Sequence, residues 1–178
     1  MDPELELEAN SKGVRIFKER VLFRLIENYL EWVREETTKR KLRTFESLIK
    51  PGKIKILPGY VFRRSEPAIV GIEVLAGMIK PKYPLMNANG KVVGTIAQIQ
   101  DKGQSISEAE KGMKVAISMR EPIVGRHVRE GEILYVAVPE NDARLLLKEY
   151  NDMLDEEARK ALEEIVEIRR KRDPLWAR

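Results

Sequence analysis

The sequence predicts an α+β protein: a long N-terminal helix, a small closed antiparallel β-barrel, and two C-terminal helices. Three observations carry this. From Val14 to Val33 apolar residues recur at three- and four-residue steps, and no Gly or Pro interrupts residues 14–50. After Pro51 the apolar period switches to two, with turn residues at short intervals. After Pro139 it returns to helical spacing.

In chain order, residues 1–10 (MDPELELEAN) are acidic and aperiodic. They read as a leader or a domain edge, and residues 1–13 are expected to be disordered. Residues 14–50 form the helix. Val14, Phe17, Val21, Leu22, Leu25, Ile26, Tyr29, Trp32 and Val33 make its apolar stripe, which suits packing against a domain core. Residues 34–43 are polar on nearly all sides, as in a helix that bridges domains through solvent. Glu35 with Lys39 and Glu36 with Arg40 are favourable i,i+4 pairs. About 35 residues give a rod of roughly 50 Å.

Residues 51–139 read as all-β, with strands expected at 53–57, 60–64, 68–76, 84–87, 91–100, 112–119 and 132–138. Pro58-Gly59, Asn89-Gly90, Asp101-Lys102-Gly103 and Glu130-Gly131 supply turns. Seven short strands in about 90 residues fit a closed barrel. In residues 140–178, Asn141 or Asp142 is positioned to cap a helix carrying Leu145, Leu146, Leu147 and Tyr150. A second helix carries Leu162, Ile165, Val166 and Ile168 and ends near Asp173-Pro174. This tail has too little apolar surface to stand alone and must pack on the barrel or receive a partner.

Composition excludes several chemistries. With no cysteine and one histidine, neither a disulfide framework, a thiolate or histidine metal cluster, nor a Cys/His dyad can form. No GxxxxGK[ST] phosphate loop is present: Gly52-Lys53 and Gly90-Lys91 are followed by Ile and Val. Glu108 and Glu110 have no ligand set around them and read as solvated surface. No catalytic residue and no metal ligand is assigned. No apolar run approaches the ~20 residues of a membrane span, so a cytoplasmic protein is expected. Charge is unevenly divided. Residues 51–139 carry thirteen basic and eight acidic side chains, net +5; residues 140–178 carry nine and eleven, net −2. A basic strand-rich region fits a phosphate-bearing partner, or ordinary solubilising charge.

Within that region the loop Gly125-Arg126-His127 is the leading candidate site. Gly125 permits close backbone approach. Arg126 suits bidentate phosphate binding or stacking on a base. His127 reads either as a stacking or hydrogen-bonding group, or as a satisfied turn residue. Arg63, Arg64 and Lys102 are candidate phosphate contacts on neighbouring loops.

Residues 53–71 (KIKILPGYVFRRSEPAIVG) also resemble a known family. So do Val14-Arg15-Ile16-Phe17, residues 94–100 (GTIAQIQ), residues 109–117 (AEKGMKVAI), Gly125-Arg126-His127 and residues 130–136 (EGEILYV), in order and in spacing. Together they resemble the last part of the subunit-joining translation initiation GTPase, initiation factor two in bacteria and five B in archaea and eukaryotes, in its archaeal–eukaryotic form. The resemblance implies a barrel similar to the second-domain barrel of translation GTPases, with the helix at 14–50 joining it to a preceding domain. It implies that the barrel holds the methionylated 3′ acceptor end of initiator tRNA and that the chain works on the ribosome. It implies that the C-terminal helices dock the tail of initiation factor one A, with Leu145, Tyr150, Leu154, Leu162, Ile165 and Val166 able to line the dock and Arg169 and Arg170 in the basic cluster beside it; for most of these apolar residues the favoured alternative is packing on the barrel. GTP and Mg²⁺ would belong to the parent protein, with no cofactor in this chain. Without the resemblance, the residues equally describe a rod-plus-barrel adaptor between two proteins.

Overall fold

The computed structural model describes residues 3–16 and 22–178. The chain divides into two units, Met1–Ser47 and Leu48–Arg178. The first unit begins with a helix, α1 (Pro3–Ser11), where disorder was expected. Pro3 stands in its first turn, where a missing N–H costs nothing. Glu4 and Glu6 lie near the positive helix end. Lys12 pairs with Glu8, the Ser11 hydroxyl donates to the Glu8 carbonyl, and Val14 N donates to Ala9 O at 2.8 Å. The helix buries no residue, so local charge placement and end bonds account for it. A hydrophobic-period search has nothing to detect there.

The long helix is α2, Leu22–Ser47, shorter than the expected 14–50. Val14, Arg15 and Ile16 are not helical; Phe17 and Val21 of the expected stripe lie outside the described residues. Thr37, Thr38 and Thr44 bond back to the carbonyls of Val33, Arg34 and Arg40, which satisfies their hydroxyls on a solvated helix. Lys39 pairs with Glu36 at 3.7 Å, one residue off the expected partner. α2 buries none of its described residues, so Leu22, Ile26 and Tyr29 face outward. At its end, Leu48 and Lys50 are buried in the second unit. Ile49 N donates to Asp142 Oδ2 (2.9 Å) and Lys50 N to the Tyr83 hydroxyl (3.2 Å). Tertiary bonds there replace helical ones, which is why the helix stops three residues early.

The second unit contains eight strands: β1 (Gly52–Arg63), β2 (Ala68–Ile79), β3 (Pro84–Met86), β4 (Val92–Asp101), β5 (Gln104–Ile106), β6 (Ala109–Glu110), β7 (Lys114–Arg120) and β8 (Ile133–Val136). Six of them close a barrel in the order β1-β8-β3-β4-β7-β2, with β2 pairing back to β1; every pairing is antiparallel. β5 extends β4 and β6 extends β2. The break expected at Pro58-Gly59 is instead a bulge inside β1. Ile56 pairs with Ile72 and Val61 with Val70, so residues 57–60 loop out against a single residue of β2. A proline and a glycine are tolerated where the ladder is interrupted. Gly59 N donates to Glu130 Oε1 at 2.9 Å, which ties the bulge to the loop before β8.

Alternation places Ile54, Ile56, Val70, Ile72, Ile117, Met119 and Leu134 in the core, each 0–1% exposed. Two helices, α3 (Glu140–Lys148) and α4 (Glu156–Arg170), are joined by a 3₁₀ turn, Asn151–Met153. Pro139 occupies the N-cap of α3 without a side-chain bond. The expected capping group of Asp142 is spent on Ile49. Asp155 caps α4, accepting from Ala158 N at 2.7 Å, a contact worth about 1 kcal/mol. α4 lies on β2, β1 and β8, with Ala161, Leu162 and Ile165 at 0–1% exposure. At its seam Lys53 Nζ meets Glu164 Oε2 at 3.0 Å and lies 5.7 Å from the centre of the Tyr135 ring. Burial, and then the hydrogen bond with Glu164, push the Tyr135 hydroxyl up to about 12.

Candidate nucleic-acid interface

After β7, the chain enters a tight loop that positions the Gly125-Arg126-His127 candidate. Ile123 O accepts from Arg126 N (3.1 Å) and His127 N (2.9 Å), and Val128 O accepts from Gly125 N (2.7 Å). Gly125 has φ +96, a backbone conformation that disfavours a side chain. Val124 and Val128 are buried and anchor the loop, while Gly125, Arg126 and His127 are exposed. Ile123 N donates to His127 Nδ1 at 3.0 Å. That nitrogen is therefore occupied inside the loop, and only Nε2 is available outward. The bond to Ile123 N makes His127 a satisfied turn residue at Nδ1. Val124 N donates to Arg64 O at 2.9 Å, which joins the loop to the exposed Arg63-Arg64 corner after β1.

Lys102 is elsewhere. It sits in the β4–β5 hairpin with φ +50, on the rim of a hollow of about 550 Å³ that also holds Tyr60, Phe62, Gly71, Lys114 and Ala116. Tyr60 and Phe62 are 55% and 65% exposed. The floor is small by necessity: a Cβ on Gly71 would stand 2.7 Å from the Tyr60 Cβ. A second hollow, of about 730 Å³, is lined by Ser65, Gln98, Ser118, Arg120 and Ile123 among others. Gln98 pairs with Ser118 and Gln100 with Ala116, so both hollows lie on the same outer face of β4 and β7, one pleat apart. The face runs from an aromatic and lysine-rich end toward the Arg120 end.

The sequence reading named Lys102 but not Tyr60, Phe62, Lys114 or Arg120. The signal for the aromatics was present: period two puts Tyr60 and Phe62 on one side of β1 and the less exposed Val61 on the other. What could not be read was which rows of β4 and β7 would lie beside them, because the barrel's closure sets that register.

The residues expected to form the partner dock are mostly inside. Tyr150, Leu154, Leu162, Ile165 and Val166 are buried between the helices and the barrel; Leu145 is half-buried. Arg169 Nη1 donates to Gly90 O at 3.3 Å, and its buried Nε has no partner. Burial, and secondarily Arg172, lower the Arg169 pKa. Arg170 donates to Trp176 O and Ala177 O. Among the described residues no group of three or more His, Cys, Asp or Glu is placed to hold a metal ion, and no helix is long and apolar enough to cross a membrane.

The second unit is thus a closed six-strand antiparallel barrel with cations and two exposed aromatics on its outer face. The family described as Elongation factor Tu domain 4 matches residues 50–135. A probable translation initiation factor IF-2 from Ignicoccus hospitalis is 50% identical over 98% of the chain and 29% of its own length. Another from Methanopyrus kandleri is 54% identical over 78% of the chain and 23% of its own length. The crystal structure of GDP-bound aIF5B from Aeropyrum pernix superposes with a TM-score of 0.73 at 47% identity, covering 97% of the chain and 29% of the other. The chain belongs to the translation initiation factor IF-2/aIF5B family and carries its C-terminal region. It spans less than a third of the length of these relatives.

Proposed function

We propose that this chain is the initiator-tRNA-binding part of a ribosome-associated, cytoplasmic initiation GTPase, and that the outer face of β4 and β7 takes the methionylated 3′ acceptor end. The observation that carries this is the pair Tyr60 and Phe62, more than half exposed beside a hollow rimmed by Lys102 and Lys114. Unstacked terminal bases lie on aromatic rings, and phosphates are met by flanking cations. Gly125, Arg126 and His127, with Arg63 and Arg64 behind them, then contact backbone phosphates at the Arg120 end of the face. GTP hydrolysis, with Mg²⁺, belongs to the portion of the parent that this chain does not span, and it contributes to ribosomal subunit joining.

The test is fluorescence anisotropy with methionylated and deacylated initiator tRNA over a salt series. Binding falls steeply with salt if phosphates are neutralised. Tyr60→Ala and Phe62→Ala each weaken binding by about 1–3 kcal/mol. Binding that ignores both salt and these substitutions supports a rod-plus-barrel protein adaptor instead. Initiation factor one A is the proposed partner of the C-terminal helices. Because the expected stripe is covered, its contact must use the half-buried Leu145 and Leu147 of α3. Leu145→Asp weakens that complex without changing tRNA affinity; an unchanged complex removes the helices as its dock.

A further inference from the structure

Beyond α4 lies a polar constellation that RNA binding does not use. Trp176 and Ala177 are 9% and 2% exposed, although they belong to no helix or strand. Three charged side chains hold the main chain of residues 176–178. Arg170 Nε donates to Trp176 O (3.0 Å) and its Nη2 to Ala177 O (3.3 Å). Ala177 N donates to Glu140 Oε1 (3.0 Å), which also accepts from Arg144 Nη2 (3.1 Å). Arg144 Nε donates to Arg178 O (3.0 Å). α3 and α4 therefore grip three successive residues by their backbone, and read side chains only at a buried aromatic followed by a buried small residue. Main-chain bonds plus pockets for particular side chains are how proteins bind peptides.

Two observations mark the grip as releasable. Ala177 has φ +54, a left-handed conformation that costs an L-residue energy. The Glu140 and Arg144 side chains are about 40% exposed, so water competes for their bonds.

We propose that residues 175–178 occupy, in cis, a peptide seat between α3 and α4, and that a partner's peptide with an aromatic-then-small pair, taking up the same turn, binds by displacing them. The segment is a latch over the docking site. This deepens the reading that these helices receive a partner, but its test uses the chain's own segment. A fluorescein-labelled peptide with the sequence of residues 173–178 is titrated against the full chain and against its Trp176→Gly variant. That variant leaves Glu140, Arg144 and Arg170 in place. The variant should bind the peptide at least tenfold more tightly than the unaltered chain, and adding Arg170→Ala should remove the gain. A folded variant that does not bind, or binds no better than the unaltered chain, overturns the latch.

A second measurement stands if the variant does not fold. In the unaltered chain the Ala177 amide should exchange with solvent at least a hundredfold faster than the Ile56 amide, which is bonded to Glu132 O inside the barrel. Exchange of both at one global rate overturns the proposal. If the peptide binds the variant but initiation factor one A binds neither form, the latch stands and the partner assignment falls.

Discussion

Leu162→Ala decides whether α4 is a removable dock or part of the barrel's core. Leu162 has 0% exposure, and Ala161, Ile165 and Val166 around it on α4 are also buried. α4 rests on three strands of a closed barrel. Closed strands cannot move in to fill the space, so collapse around the truncated side chain is limited. Removing its three carbon groups loses about 2.4 kcal/mol of transfer energy at ~0.8 per group. A residual cavity adds about 1–2 kcal/mol, which brings the total near 4 kcal/mol, within the range for buried leucines. For a unit of this size the melting temperature should fall by roughly 15 °C. The assay is thermal and urea unfolding followed by far-ultraviolet circular dichroism. A loss under about 1 kcal/mol, or a helical signal that melts early while the strand signal keeps its original midpoint, would show that α4 is not part of the core. The expected outcome also means that ending the chain after Pro139 destabilises the barrel. Partner docking is therefore better probed by substitutions at half-buried positions such as Leu145→Asp, with the melting temperature checked alongside.

The raised Tyr135 hydroxyl makes stability fall at high pH. Its folded pKa of about 12 exceeds the ordinary 10, so its contribution is complete below pH 10 and is lost as pH rises toward 12. Tyr135→Phe should flatten that part of the stability profile relative to the unaltered chain, and identical profiles would show that the hydroxyl is not desolvated. Arg126→Ala should weaken tRNA binding by about 1–3 kcal/mol and reduce its salt slope, with the melting temperature unchanged because the side chain is exposed; unaltered affinity would confine the site to the Tyr60 end of the face. Purified chain should not hydrolyse GTP or ATP, since no phosphate loop is present; turnover above the buffer rate that co-purifies with the chain through successive columns would contradict this.

Much of the architecture is local and was therefore legible. Period-two alternation in residues 53–56, 68–74 and 114–119 depends on one strand having one buried face, and such strands appear as β1, β2 and β7. Asp155 starts α4 through a bond three residues away, whereas the cap of α3 expected at Asn141 or Asp142 is instead Pro139. The Gly125 loop is largely local: apart from Val124 N on Arg64 O, its bonds close between residues 123 and 128. Signals of this kind survive in a linear reading because both partners lie within one turn of chain.

Other features required the closed barrel. Pro58-Gly59 reads as a chain reversal, yet β1 continues because β2 and β8 hold it on both sides and absorb the extra residues as a bulge. The helix preceding the barrel ends at Ser47 because Asp142 and Tyr83, far along the chain, offer Ile49 and Lys50 better partners. Leu162 and Ile165 have the same pattern whether they face a partner or a barrel, and only packing places them inside. Arg170 is an exposed cation in the sequence and a clamp on Trp176 and Ala177 in the fold. The sequence alone determined the long helix, the main barrel strands, the two C-terminal helices, their order and the family, but not α1, β5 or β6. Tertiary structure decided which apolar faces remain open and which cations remain unpaired, because both depend on groups a hundred residues away that meet only when the barrel closes.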